Sequence, residues 1–372
     1  MWNRSSINRK HRKLLRRVDF GRWQPFFFVT GVVLFFLLLP IGIVSLFGDG
    51  AVRGKEGTEE TELGRVSSLD KIEAPAKVAL WLTEEEKTVT LDFETYVTRV
   101  VASEMPSNFE TEALKAQAVA ARTYAMSKIH TYESQGAASD VHPAAALCDT
   151  THCQAYHTEK ELIERHEEGW EKTGWKKIKK ACKETAGELL YYDGKLVSQP
   201  LFFSSSGGQT ENSEDVFLSA VPYLVSVTSP YEEEATHKNE ETKISLKDFA
   251  EKMKETYPAR DLGTINRSTI KILSRTAGGR VDQMQVGDGQ EGVLLGTEVR
   301  QALGLPSSLF SIRFEEGEGW NGAAPGNLNM IFTTSGSGHG VGMSQYGADG
   351  MAKEGASYVE ILKHYYQGTE VG

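Results

Sequence analysis

Residues Phe26 to Phe47 form a stretch of 22 residues without a charged side chain, which strongly limits the possible architecture of the protein. At about 1.5 Å per residue, a helix over this stretch spans the roughly 30 Å hydrocarbon core of a bilayer. A membrane helix tolerates Pro40 because local adjustments satisfy the freed backbone groups. A cleavable signal peptide is the alternative, but its apolar region is normally about 7 to 15 residues, and no clear small-residue cleavage site follows Phe47. We therefore predict an uncleaved transmembrane helix over 26–47.

The charges on the two sides of this helix differ sharply. Residues 1–25 hold eight Lys and Arg residues against Asp19, a local charge of +7, so the rest of the −10 chain carries −17. Because basic flanks stay in the cytoplasm, we predict a cytoplasmic tail over 1–25 and an extracytoplasmic remainder. An acidic exterior without a basic stripe argues against nucleic acid as a partner.

The exterior part divides into a linker and one large region. Residues 48–74 are rich in Gly, Glu, Ser and Thr and hold too little apolar surface to order themselves, so they predict a flexible linker. In 75–372 the predicted strands and helices do not alternate regularly, which favours an α+β fold with a mixed sheet over a doubly wound one. We expect strands at 77–82, 88–91, 189–192, 196–203, 223–227, 269–274, 281–286 and 329–334. We expect helices at 93–103, 111–129, 159–182 (with a break at Gly169 or Gly174), 245–257, 296–303 and, as the last helix, 344–354, with the segment 358–366 closing the chain.

Glu104 is the first candidate for chemistry. It follows the apolar run Val100-Val101-Ala102 and precedes Met105-Pro106. A carboxylic acid held against apolar side chains is disfavoured in its charged form, so its pKa rises towards the range useful for general acid catalysis. A solvated charge or a capping group at a helix end is the alternative.

The next predicted helix carries Lys115, Gln117 and Arg122. Lys115 and Arg122 are seven residues apart and therefore lie on one face, which could border the groove of Glu104 and hold polar or anionic groups. Two basic residues on a solvated face are the alternative. Gln117 lies about 200° round from Lys115, so a straight helix cannot point all three into one site.

His142, Cys148, His152 and Cys153 offer two imidazoles and two thiolates within twelve residues. This is the ligand set of a closed, structural zinc site, although the spacing is not that of a standard zinc finger. A Cys148–Cys153 disulfide, or no linkage, is the alternative outside the membrane. If all four residues bind zinc, no position is left for an activated water.

Two further blocks are rich in glycine. In the first, Ser204, Ser205, Ser206 and Gly207 offer hydroxyls and a close backbone approach that suit sugar hydroxyls. A nucleophilic serine is less consistent with the sequence, since no G-x-S-x-G or triad order is visible, and plain turn chemistry is the other alternative.

The second glycine-rich block is GSGHGVGMSQYGA, from Gly336 to Ala348. It lacks the G-K-[ST] and the acidic spacing of nucleotide-binding loops. Its loop could instead place His339 and Gln345 beside a glycan, whereas a turn histidine with satisfied hydrogen bonds is the alternative.

These four blocks, in this order behind a single anchor, resemble the stage II sporulation protein D family over roughly residues 75–372. The blocks that carry the resemblance are EMPSNFETEALKAQAVAARTYA, CDTTHCQAY, SSSGGQTENSEDVF and GHGVGMSQYGA. The resemblance implies a peptidoglycan lytic transglycosylase of forespore engulfment, in the mother-cell membrane facing the septal space. It places the catalytic acid on Glu104, polar roles on Lys115, Gln117 and Arg122, and zinc on the His/Cys block in some members.

The implied chemistry needs one carboxylate rather than two. Ordinary glycosidases use a pair of carboxylates, whereas a lytic transglycosylase uses the C6 hydroxyl of its own substrate as the nucleophile. Glu104 would protonate the MurNAc–GlcNAc oxygen and then accept the hydroxyl proton, leaving a 1,6-anhydro end. The family picture also implies glycan strands stripped of stem peptides and partners among stage II sporulation proteins M and P. A non-catalytic wall-binding scaffold or amidase enhancer, and a zinc hydrolase, remain alternatives.

Overall fold

The computed structural model describes residues 72–135, 141–217, 219–316 and 328–372. The predicted cytoplasmic tail, the predicted transmembrane helix and all but the end of the predicted linker lie outside these ranges. None of the helices within the described ranges is both long and apolar enough to cross a membrane.

A hairpin and two helices open the described chain. Strand β1 (Lys77–Leu82) pairs antiparallel with β2 (Lys87–Asp92), so that Val78 lies opposite Leu91. Helix α1 (Phe93–Glu104) begins directly afterwards, because the Asp92 carboxylate accepts a hydrogen bond from the backbone N–H of Thr95. The helix ends at Glu104, since the proline at 106 disfavours helical geometry for the residue before it.

Helix α2 (Thr111–Gln135) is the central helix of the larger hydrophobic core. Its alanines, including Ala116, Ala120 and Ala121, are fully buried. Small side chains let neighbouring helices approach closely. Within the described ranges, α2 therefore packs closely against α1, α4 (Gly174–Glu184), α8 (Gln345–Lys353) and α9 (Tyr358–Tyr365).

Short elements complete the larger core. β3 (Leu147–Cys148) adds parallel to β1, so the first sheet has the order β2-β1-β3. The other two sheets here have the orders β14-β4-β5 and β13-β6. The remaining elements of this part are α3 (Glu159–Glu164), a 3₁₀ turn (Trp170–Lys172), β4 (Leu190–Tyr192), β5 (Lys195–Leu196), β6 (Phe202–Phe203), α5 (Ser213–Phe217), β13 (Met343–Ser344) and β14 (Thr369–Val371).

A second hydrophobic core lies between two antiparallel three-stranded sheets and two helices. One sheet has the order β10-β9-β8 and the other β11-β12-β7. Phe249, Phe310 and Phe332 are buried at its centre. Its elements are β7 (Glu240–Ser245), α6 (Leu246–Thr256), a 3₁₀ turn (Arg267–Thr269), β8 (Lys271–Arg275), β9 (Val281–Gln285), β10 (Val293–Leu295), α7 (Gly296–Leu303), β11 (Phe310–Glu316) and β12 (Leu328–Thr334).

The mixed α+β class is confirmed, but in the described ranges five small sheets take the place of one mixed sheet. The predicted strand at 196–203 is wrong because Pro200 lacks an N–H for the ladder, which leaves β5 and β6 as separate pieces. The predicted strand at 223–227 is also wrong. There the N–H groups of Ser226 and Val227 bond to the side chains of Asn212 and Thr210 instead of to a strand.

Candidate active site around Glu104

Glu104 is the last residue of α1, and its carboxylate points back into the protein. Its Oε1 accepts a hydrogen bond of 2.6 Å from the backbone N–H of Ala155. Burial raises the pKa of Glu104 above its usual value, and the hydrogen bond from Ala155 opposes this only in part. No charged side chain of the described residues contributes to the shift. Desolvation therefore sets the pKa of this acid, as the apolar run before it predicts.

Aromatic and polar groups surround the segment that holds Glu104. Tyr156, next to Ala155, stacks on Tyr96 at 5.8 Å between ring centroids and accepts a 2.7 Å hydrogen bond from Arg99. His157 Nδ1 lies 3.0 Å from the hydroxyl of Ser103, the residue before Glu104. Desolvation lowers the pKa of His157, which favours the neutral imidazole. Arg99 is the charged group of this segment, and it bonds to Tyr156 rather than to the carboxylate of Glu104.

The loop that follows Glu104 is held from three directions. The indole N–H of Trp170 donates to the hydroxyl of Ser107 at 2.9 Å. The ring of Phe109 packs edge-on against Tyr346 at 5.0 Å between centroids. Buried Asp349 accepts a 2.6 Å hydrogen bond from the next backbone N–H, at position 110, and Lys177 donates to the carbonyl of Phe109. These contacts fix the direction in which α1 ends, although none of them was predicted from the sequence.

Lys115 and Arg122 share a face of α2, as their spacing predicts, but this face contacts acidic residues rather than Glu104. Lys115 lies 2.8 Å from Glu112 and 3.0 Å from Glu184. Arg122 is fully buried and makes two 2.8 Å hydrogen bonds to the two carboxylate oxygens of Glu94. Their assignment as substrate-binding residues stays a prediction, while the geometry gives Arg122 a structural partner.

Gln117 points to another side of α2, as the 200° offset requires. It is fully buried, and its Oε1 lies 3.5 Å from Nε2 of Gln345 at the start of α8. The Nε2 of Gln117 has no hydrogen-bond partner within the described residues. The structure thus brings two predicted site residues from distant blocks together and leaves one amide donor between them.

His142, Cys148, His152 and Cys153 converge as predicted. Four atoms, one from each residue, lie within 4.8 Å of one another. Sulfur–nitrogen distances are 3.6 Å from Cys153 to His142, 3.7 Å from Cys153 to His152 and 3.8 Å from Cys148 to His152. Zinc bonds of about 2.3 Å to sulfur and 2.0–2.1 Å to nitrogen give a tetrahedral edge of roughly 3.6 Å. All three cysteines in the described ranges, including Cys182, are free thiols.

The serine- and glycine-rich block forms a nest for a side chain that the sequence did not single out. The carboxylate of Glu232 accepts hydrogen bonds from the backbone and hydroxyl of Ser206, from the backbone of Gly207 at 2.9 Å, and from the hydroxyls of Ser229 and Ser344. Gly207 has a φ of +81°, which a side chain would strain. The S-G-G pattern, which favours anion nests, is the sequence signal that would have indicated this arrangement.

The other two serines of the block, Ser204 and Ser205, make hydrogen bonds through their backbone groups. The carbonyl of Ser204 accepts the N–H of Tyr346 at 3.0 Å, and Ser205 pairs through its backbone with Ser337. Ser205 and Gly207 line a cavity of about 330 Å³. Within the described residues no histidine is a hydrogen-bond partner of Ser204, Ser205 or Ser206, so a serine nucleophile lacks its base.

His339 fits the description of a turn histidine. Its Nδ1 accepts the N–H of Val341 at 3.1 Å, and it bonds to the backbone of Phe202. Its ring lies between Phe203 and Phe217, each 5.5 Å away. Burial, together with the charge of Arg280, lowers the pKa of His339 to about 4. A glycan-binding role for His339 stays a prediction.

Glu104 is a desolvated carboxylic acid on an α+β scaffold, the kind of group that suits general acid catalysis. The family is identified by comparison with known proteins. The model of a stage II sporulation protein family matches residues 83–192, and a second, described as a domain of unknown function (DUF8618), matches 225–342. The chain is 33% identical over 353 residues to stage II sporulation protein D of Bacillus amyloliquefaciens, covering 93% of this chain and 94% of that protein.

Two further relatives belong to Bacillus subtilis (strain 168). Stage II sporulation protein D is 35% identical over 299 residues, covering 80% of this chain and 79% of that protein. An amidase enhancer is 30% identical over 312 residues, covering 73% of this chain but 39% of its own length. The chain belongs to the stage II sporulation protein D family.

Proposed function

We propose that this protein is a membrane-anchored peptidoglycan lytic transglycosylase that acts during sporulation engulfment. The observation that carries the proposal is the solitary, desolvated carboxylic acid of Glu104. A paired glycosidase needs a second carboxylate about 5–9.5 Å away. No acidic side chain of the described residues contributes to the raised pKa of Glu104, so no carboxylate in close contact shares its proton. A mechanism that takes its nucleophile from the substrate needs only one such group.

The proposed cycle uses the two oxygens of Glu104 differently. Ala155 holds Oε1, and Oε2 has no hydrogen-bond partner within the described residues. The protonated acid donates to the glycosidic oxygen of the MurNAc–GlcNAc bond. The bond from this oxygen to the anomeric carbon breaks, GlcNAc leaves with the donated proton as a hydroxyl, and the resulting carboxylate accepts the proton of the C6 hydroxyl. The C6 oxygen bonds to the anomeric carbon and closes the 1,6-anhydro ring. General acid–base assistance of this kind contributes about 10²- to 10⁴-fold.

We propose a structural zinc ion at His142, Cys148, His152 and Cys153. Their spacing fits a tetrahedral ion, and the Nδ1 of His142 lies 2.8 Å from the carbonyl of Ala145, which leaves Nε2 for the metal. Zinc would join the two ends of this loop. A site filled by four protein ligands leaves no position for substrate, which disfavours a zinc hydrolase.

We further propose that residues 26–47 anchor the protein, with the catalytic region outside the membrane. The substrate would be glycan strands stripped of stem peptides, and stage II sporulation proteins M and P would be partners. These proposals rest on the sequence and on the family resemblance.

The test is to incubate the protein with purified, stripped glycan strands and to search for anhydro-ended fragments. We expect them from the wild type and not from Glu104→Gln, which keeps the Oε1 acceptor but cannot donate the acidic proton. Equal release by Glu104→Gln would exclude the acid–base role. Loss of turnover with a chelator, while Glu104→Gln is merely weakened, would favour the zinc hydrolase.

The amidase-enhancer relative supports a second candidate, a protein that binds the wall without cutting glycan. This candidate predicts that strands bind but stay intact, and that a separately purified wall amidase cleaves faster when the protein is added. Adding Glu104→Gln distinguishes the two functions, because an enhancer role does not need the acid.

A further inference from the structure

A cavity of about 470 Å³ lies between the first turns of α1 and the second half of α4, away from the carboxylate of Glu104. Three lysines line it, together with the indole of Trp175 and the hydroxyl-bearing residues Thr95 and Thr98. The lysines are Lys179, Lys180 and Lys183. No role was predicted for any of these residues from the sequence.

The carboxylates in the cavity wall already have partners. Asp92 accepts from the N–H and the hydroxyl of Thr95, each at 2.8 Å. Glu94 pairs with buried Arg122. Glu159 accepts the indole N–H of Trp175 at 2.9 Å. These groups are therefore held by groups of the protein itself, and Arg122 offsets the charge of one of them.

The lysines are much less engaged. Helix α4 carries five lysines against Glu184, and only Lys177 turns inward. Lys176, Lys179, Lys180 and Lys183 are exposed and recur at helical spacing, which places them on one stripe. We call these four residues the lysine stripe. Within the described residues, one of the four forms an ion pair, the 3.7 Å contact of Lys180 with Glu184, which Lys115 also binds.

The lysine stripe runs along α1, away from the candidate acid. The start of α4 contacts the loop after Glu104, through Lys177 and the carbonyl of Phe109. Its other end contacts the beginning of α1, since Arg122 binds both the carbonyl of Cys182 and the carboxylate of Glu94. From position 176 to position 183 the stripe extends about 10 Å. A strand bound at Glu104 could therefore continue along the stripe.

We propose that the lysine stripe and its cavity bind the lactyl carboxylates of a stripped glycan strand. This inference rests on the proposed function. Removal of a stem peptide from MurNAc exposes one carboxylate per disaccharide, so the stripped strand is a regular polyanion. Ammonium groups attract such carboxylates, and Thr95 and Thr98 line the same cavity. The protein beyond residue 25 carries −17, so a local basic stripe determines where an anionic strand docks.

The test measures binding without cutting. Two full-length proteins in detergent are titrated with stripped strands. The parent carries Glu104→Gln alone, and the stripe variant also has all four lysines of the stripe changed to Gln. We expect the stripe variant to bind at least tenfold more weakly and with less dependence on salt. The matched control changes Lys247, Lys252, Lys254 and Lys271, which are exposed on the second core, and should bind as tightly as the parent. Melting temperatures confirm that both variants fold.

A second arm changes the ligand. Strands whose carboxylates have been chemically amidated should bind the parent as weakly as normal strands bind the stripe variant. Equal binding of amidated and normal strands would overturn the inference, as would unchanged binding by the stripe variant. The inference would also be overturned if the stripe variant lost binding to anionic phospholipid vesicles but still bound glycan strands as tightly as the parent. If binding depended on the lysines but the wild type cleaved no strands, the enzymatic proposal would be wrong while the binding inference would stand.

Discussion

The backbone N–H of Ala155 donates a 2.6 Å hydrogen bond to Oε1 of Glu104, 51 residues away in sequence. Ala155 follows Cys153 of the His/Cys cluster by two residues. The candidate acid is therefore held by the chain segment that emerges from the proposed zinc site. This connection explains how a structural metal could affect cleavage without touching the substrate.

Glu104→Gln should stabilise the protein at neutral pH while abolishing cleavage. Because burial raises the folded-state pKa of Glu104, its contribution to stability is present below the unfolded value of 4.5 and is lost as pH rises through the raised value. Gln carries no charge to desolvate. Melting curves from pH 4 to 8 should show the variant gaining on the wild type as pH rises. A constant difference across this range would show that Glu104 is well solvated.

Removal of the proposed zinc ion should loosen the His/Cys cluster and thereby lower the melting temperature of the protein. A chelator should lower the Tm of the wild type but leave the Tm of Cys148→Ser/Cys153→Ser unchanged, because that variant has already lost both thiolate ligands. Metal content measured on the purified proteins provides the second readout. An equal drop of Tm in both proteins would show that the chelator does not act through the His/Cys cluster.

Arg122→Met should destabilise the fold. The substitution leaves Glu94 without its guanidinium, and breaking a buried pair costs about 3–5 kcal/mol. We expect the low end of that range, because the side chain of Glu94 is 37% exposed and can be rehydrated. Chemical denaturation gives the value, and Glu94→Gln/Arg122→Met should cost less than the sum of the two single changes. A raised KM with unchanged stability would instead make Arg122 a substrate-binding residue.

Acid should destabilise the protein through His339. Its folded-state pKa of about 4 lies below the ordinary 6.5. The stability it contributes is thus present above pH 6.5 and is lost as pH falls towards 4. His339→Gln cannot titrate, so it should lose less stability than the wild type between pH 6.5 and 4. Parallel losses in the two proteins would mean that His339 is not desolvated.

Local patterns predicted the elements whose ends carry strong signals. Helix α7 and strand β1 have the predicted bounds, and α1 ends within one residue of the prediction because Pro106 stops it. β7 and β11 were missed, because segments such as EETKIS and FSIRFEE are charged and form strands only by pairing with β12. Strand identity there comes from contacts that are distant in sequence.

For the candidate site, too, local patterns in the sequence predicted some features, whereas contacts between distant residues could not be predicted. The apolar run before Glu104 indicated its raised pKa, and ligand type indicated the His/Cys cluster. The sequence could not show that Arg122 binds Glu94, 28 residues away, instead of facing a groove. Nor could it show that Glu232 occupies the serine-glycine nest, since a single glutamate in an acidic segment has no distinguishing local pattern.

The most direct test of Glu104 as a single acid–base group is the source of oxygen in the product. Stripped strands are cleaved in water enriched in heavy oxygen, and the new ends are analysed by mass spectrometry. We predict 1,6-anhydro ends that contain no heavy oxygen, and no such ends with Glu104→Gln. Reducing ends labelled with heavy oxygen would show that water is the nucleophile and would contradict this prediction.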